Sequence, residues 1–318
     1  MDRLRNKITV YSFILTVLVV LLHSGEALLS IVTGQLAVPG FFLTSGFLFM
    51  RGLKTSPAPG NVLLSKLGRR VMTLVVPYLI WNVLYFLIYV YLGKASITEF
   101  YDAMVSYKYN PVFWYLAQLI VITLTAPLIY LLMKNTWTGI VSLAVVFGLA
   151  VMYRYLPFHY CNEDALFYYM TGAFISMNMP KFECHRTDWL EILVSAAFLT
   201  VFLVAKYFLP PEIINISEIG YRLSGAVFIY VLVSFIMDRV AFIIPGFMKI
   251  NFFVYCTHYL IIRMVWLAEE AAGLNGSAAA NAAVYLLMPV ICILSAWGVS
   301  TVMKKIMPGV YSVLTGGR

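Results

Sequence analysis

Long stretches without a single charged residue constrain this chain more than any other feature. Val10–Leu22 is one and Val71–Leu92 is another. In hydrocarbon, backbone N–H and C=O groups find no water, so each must be satisfied within a helix or a closed barrel. A barrel needs segments of roughly ten residues with alternating polarity, and these runs are longer and continuously apolar. Composition agrees: 62% of the 318 residues are apolar and 11% are charged, whereas soluble domains carry about 25% charged residues. A soluble enzyme and a disordered chain are therefore excluded. The net charge of +8 could suggest a nucleic-acid partner, but the basic residues punctuate apolar runs and form no stripe, so no nucleic acid is expected.

The fold class expected is an all-α, polytopic integral membrane helical bundle. About ten transmembrane helices are read at roughly 8–31, 36–50, 71–93, 112–133, 138–153, 163–178, 190–209, 221–237, 248–268 and 281–303. With the N-terminus inside, 16 of the 22 Lys and Arg residues fall on the inner side. The positive-inside rule then places both termini in the cytoplasm. The longest inner loop is 51–70, and the longer outer loops are 94–111, 210–220 and 269–281. Residues 1–318 read as one membrane domain with no repeat and no soluble appendage, and the first apolar run does not resemble a cleavable signal peptide. Cys161, Cys184, Cys256 and Cys292 lack the spacing of a zinc site or a disulfide framework, so no metal is expected.

Ionisable groups inside such helices are costly and mark functional sites. His23 stands out, roughly 24 Å up the first helix from Lys7 at 1.5 Å per residue. Glu26 follows three residues on. A carboxylate beside an imidazole fixes its tautomer and raises its basicity, which suits a general base; a buried histidine bonded to a neighbouring helix is the plainer alternative. Ser45-Gly46, in Val38–Phe49, permits close helix approach. Lys66, Arg69 and Arg70 form a basic cluster at the inner surface, suited to anionic lipid or to cofactor phosphates. His258 and Arg263 both sit in the ninth apolar run, read as buried, but five residues apart they face different partners. Trp114 and Tyr115 open the fourth span, where they fit an interfacial aromatic belt or a platform for a sugar ring.

Taken in order, these segments resemble the acyltransferase 3 family of integral membrane acyltransferases. The series runs Val-Val-x-x-His at the end of the first span, then Val-Pro-x-Phe-Phe-x-x-Ser-Gly-Phe, then basic residues before Pro77, Tyr78 and Trp81. It continues with Phe-Trp-Tyr-Leu at 113–116, Phe167–Gly172, and Tyr255 with His258. The resemblance covers nearly the whole chain. It implies transfer of an acyl group, usually acetyl from acetyl-CoA, to a hydroxyl of a cell-envelope glycan or lipid-linked sugar, at a bacterial inner membrane. His23 would be the essential histidine, with Glu26 beside it. Lys66, Arg69 and Arg70 would hold the donor, and Ser45, Trp114, Tyr115, His258 and Arg263 would line the substrate. The expected partners are that acceptor, acyl-CoA and membrane lipids. One position departs from the family pattern: eleven residues before His23, where an arginine is typical, stands Ser12, with Arg5 or Lys7 as substitutes from the helix start. A transporter or flippase of a glycan precursor is the rival of a different class, and a catalytically silent family member a third reading.

Overall fold

The computed structural model describes residues 2–25, 35–152, 163–210, 214–273 and 278–317. Among these every regular element is helical and none is a strand. In chain order the helices are α1 (Asp2–His23), α2 (Ala37–Met50), α3 (Pro59–Tyr91), α4 (Phe100–Val105), α5 (Trp114–Leu124), α6 (Ala126–Met133) and α7 (Thr136–Met152). There follow α8 (Glu163–Asn178), α9 (Trp189–Phe208), α10 (Ile214–Met237), α11 (Asn251–Ala271), α12 (Ala278–Ile306) and α13 (Pro308–Thr315). Among the described residues, the ten apolar segments read from the sequence lie mostly on helix. Among the described residues, five helices (α1, α3, α9, α10 and most of α12) are long and apolar enough to cross a membrane. The pair α5–α6 makes a sixth if taken as one broken span. The helices α2 and α7 are apolar but shorter.

Two boundaries differ from expectation. The inner loop at 51–70 is helical from Pro59 onward, because proline is suited to the first turn of a helix, where its missing N–H has no partner to lose. Helix α3 therefore enters the bundle already formed, and a single π turn at Val71–Val75 interrupts it. The segment 112–133 is not one straight helix but bends by 61° between α5 and α6. There the Thr125 hydroxyl donates to the Ile122 carbonyl at 2.8 Å, and the chain restarts at Ala126-Pro127, where proline cannot continue the previous ladder.

The bundle is held together by both packing and polar anchors. Helices α2 and α8 approach to backbone contact: a Cβ added at Gly46 would sit 2.0 Å from the Tyr169 carbonyl oxygen, and one at Gly172 would sit 1.9 Å from that of Leu43. The expectation of close approach at Ser45-Gly46 rests on this pair of glycines. At the opposite end of α1 from His23, Asp238 receives Lys7 and Arg3, each at 2.7 Å, and the Thr187 backbone N–H at 2.9 Å. Burial raises the Asp238 carboxyl, but these partners outweigh it and leave the group below its usual range. Outward from the core, Leu193, Phe198, Val201 and Val204 of α9 are exposed. An apolar face of that extent suits lipid, not water.

Candidate functional site

Helix α1 delivers His23 in its last turn, and α11 delivers His258 from its middle. The two rings face each other with centroids 5.5 Å apart and planes tilted by 38°. His258 is 0% exposed. Its Nδ1 lies 2.7 Å from the Tyr255 carbonyl oxygen and 3.3 Å from that of Val254. Carbonyls only accept, so Nδ1 carries the proton and Nε2 is left with a lone pair. That Nε2 has no hydrogen-bond partner among the described residues. The register of α11 is fixed by Tyr85 of α3, whose hydroxyl donates to the Cys256 carbonyl at 2.9 Å.

From His258 an aromatic path leads through the bundle to the basic cluster. Tyr255 lies 6.0 Å from His258 and 5.8 Å from Tyr115, ring centre to ring centre, and its hydroxyl donates to the Val112 carbonyl at 2.8 Å. Tyr115 packs on Phe42 at 4.7 Å, and Trp114 meets the same phenylalanine at 6.5 Å. Arg70 is close enough to Tyr115 and Tyr169 to interact electrostatically with both hydroxyls. Its guanidinium lies over the Phe49 ring at 5.4 Å. Among the described residues Arg70 has no carboxylate partner and no hydrogen bond. It is the last residue before the π turn, a local widening that recurs at functional sites.

The three basic residues read as one cluster do different things. Arg70 points inward, and Arg69 is exposed. The Lys66 ammonium donates to the carbonyls of Phe49 and Arg51 at 2.7 and 2.6 Å, satisfying orphan acceptors at the C-terminus of α2. Arg51 itself pairs through two nitrogens with Glu183 at 2.7 and 2.6 Å. Ser45 lies half-buried on α2 beside the Gly46 crossing. Arg263, read as buried, is exposed, with its guanidinium 5.6 Å from the ring centres of both Tyr259 and Trp266. Five positions from His258 place it on the far side of α11. Glu26 lies outside the described residues. Among those described, no carboxylate comes within ion-pair distance of His23 or His258. Lys7, a proposed substitute for the charge missing at Ser12, is engaged by Asp238.

Beyond His23, a cavity of about 720 Å³ opens at the end of α1, lined by Ser24, Gly25, Trp266, Glu269 and Tyr285 among others. Sequence reasoning missed Tyr169 and the single role of Arg70: apolar periodicity says which face is buried, not which hydroxyl meets a guanidinium. Asp238 as partner of Lys7 carried a faint signal, a lone acid closing a long apolar run.

A family model described as an acyltransferase domain matches residues 13–301. No curated protein matches the chain. No solved structure matches it either.

Proposed function

The chain belongs to the acyltransferase 3 family, and from that membership we propose that it moves an acyl group from an acyl-CoA donor to a hydroxyl on a cell-envelope glycan or lipid-linked sugar. The observation that carries this reading is the line of groups from Arg70 to His23. A half-buried guanidinium without a carboxylate partner among the described residues stands at one end, and at the other an imidazole one residue before Ser24, which lines a cavity.

The acetyl form of the donor is the simplest case. Arg70 takes phosphate oxygen from the inner side, since a guanidinium gives phosphate two parallel N–H donors, and the pantetheine arm runs along Tyr115 and Tyr255. The acceptor approaches through the cavity at Ser24 and Gly25, with Trp266 as an apolar wall for the sugar ring. His23 removes the proton of the acceptor hydroxyl as its oxygen attacks the thioester carbon. The C–S bond then breaks, and the thiolate leaves with the proton that His23 has held. Glu26, three residues on, supplies negative charge that favours the imidazolium. About ten crossings with both termini in the cytoplasm of a bacterial inner membrane put the donor end of this line inside and the cavity outside.

Transfer of radiolabel from acetyl-CoA to an envelope glycan fraction by purified protein tests this reading. His23→Ala is expected to remove transfer while the protein still inserts and stays monodisperse. Wild-type rates in that variant would reject His23 as the base. Labelled acetyl-CoA that never transfers, alongside vesicle flux of a glycan precursor, would favour the transporter instead.

A further inference from the structure

We propose that His258 is the positioning residue for His23: when the His23 ring turns edge-on toward it, Nε2 of His258 accepts the His23 N–H and so leaves the other His23 nitrogen bare toward the acceptor hydroxyl. The inference rests on the reading of His23 as base and names what orients it.

The geometry reduces to which atoms are already used. Nδ1 of His258 is committed to the Tyr255 carbonyl, with Val254 as a longer second acceptor. The ring is wholly buried, so water does not satisfy Nε2, and no described side chain does. An unsatisfied buried acceptor costs about 1–3 kcal/mol, and such atoms in native structures call for a reason. The His23 ring stands 5.5 Å from the His258 ring, centroid to centroid. No hydrogen bond joins the two rings as they stand; at that separation a turn of the His23 ring brings an N–H edge to hydrogen-bond distance, roughly 3 Å. Because Nδ1–H of His258 is pinned by backbone, the His258 tautomer is set before His23 is considered. An acceptor therefore waits for whichever nitrogen of His23 carries hydrogen. When His23 becomes an imidazolium, the same N–H···N bond strengthens, and His258 keeps its own proton throughout. An orienting group is usually a carboxylate or a carbonyl; here a neutral imidazole, supported by a helix carbonyl, stands in that place.

Three substitutions separate this role from simple packing, all measured with labelled acetyl-CoA beside wild type and His23→Ala. His258→Asn places an amide near Nδ1 and can keep the Tyr255 bond, but offers nothing at Nε2. His258→Gln reaches the Nε2 position. His258→Ala removes both. Expected are a kcat lowered on the order of 10–100-fold in Asn and Ala, the scale seen when an imidazole loses its orienting partner, with donor KM within about twofold, and at least a tenfold recovery in Gln over Asn. Asn at the wild-type rate, or Gln no better than Asn, would overturn the proposal. If His23→Ala is silent in the same assay, the base assignment survives that failure; if it is active, the base itself is wrong. ¹⁵N NMR of histidine-labelled wild type needs no variant to fold. Nδ1–H is expected at His258, and the Nε2–H tautomer would overturn the inference.

Discussion

Arg69 and Arg70 are adjacent in sequence yet meet different surroundings, because successive helical positions point about 100° apart. One faces out, and the other sits over Phe49 near Tyr115 and Tyr169. The pair was legible as a basic cluster at a helix end; which member enters the bundle was not, since that depends on how α3 rotates against α2 and α5. Arg70→Ala should therefore raise the donor KM on the order of 10–100-fold, the loss of a charge-assisted bond of about 1.5–3 kcal/mol. Arg69→Ala should raise it by less than about threefold. Steady-state kinetics with varied acetyl-CoA would check both, and equal effects would place the donor elsewhere. Lys66→Met should act instead on stability, since its ammonium closes the end of α2. His23 was legible for the opposite reason: an imidazole deep in an apolar run needs no partner to be conspicuous.

Among the helices, the crossing of α2 and α8 is the least forgiving contact. Backbone carbonyls of Leu43 and Tyr169 occupy the space where Cβ atoms at Gly172 and Gly46 would sit. Neither obstacle is a flexible side chain, so the helices themselves must separate. Gly172→Ala should cost about 1–3 kcal/mol or more and show as lost yield and a lower unfolding temperature in detergent, as should Gly46→Ala. A variant as stable as wild type would mean that the helices part easily. Small residues next to each other in the sequence announced close packing but not the partner helix. The bend between α5 and α6 falls inside the segment read as one span at 112–133; Pro127 sits just past the break, and the bend of 61° follows from how the two helices pack.

Across the whole molecule, α1 is tied to the end of α10 by a buried ion pair. Near its start, Lys7 and Asp238 are almost fully buried as a pair, with Arg3 at the rim. Removing one partner of a buried pair costs about 3–5 kcal/mol, whereas replacing both with apolar groups is often neutral. Asp238→Asn should thus destabilise the protein, and a second change, Lys7→Met with Asp238→Leu, should recover most of the loss; thermal unfolding in detergent reads both. The carboxyl is held below its ordinary value of 3.8, so its stabilisation is complete above that pH and is lost as pH falls through the lower folded value. Wild type should lose unfolding temperature on acidification in that range, and Asp238→Asn should lack this component of the decline.

By itself, the sequence determined the solvent, the helical class and the family. Those depend on the number and continuity of apolar residues and on motifs in order, which are properties of the chain read in one dimension. Tertiary structure alone decided that His23 meets His258, that Arg70 and not Arg69 turns inward, and that Lys7 belongs to Asp238. Each is a meeting of side chains from helices far apart in sequence. Its geometry follows from helix rotation and crossing, which backbone contacts such as Gly46 on Tyr169 and Gly172 on Leu43 fix, and which no local pattern encodes.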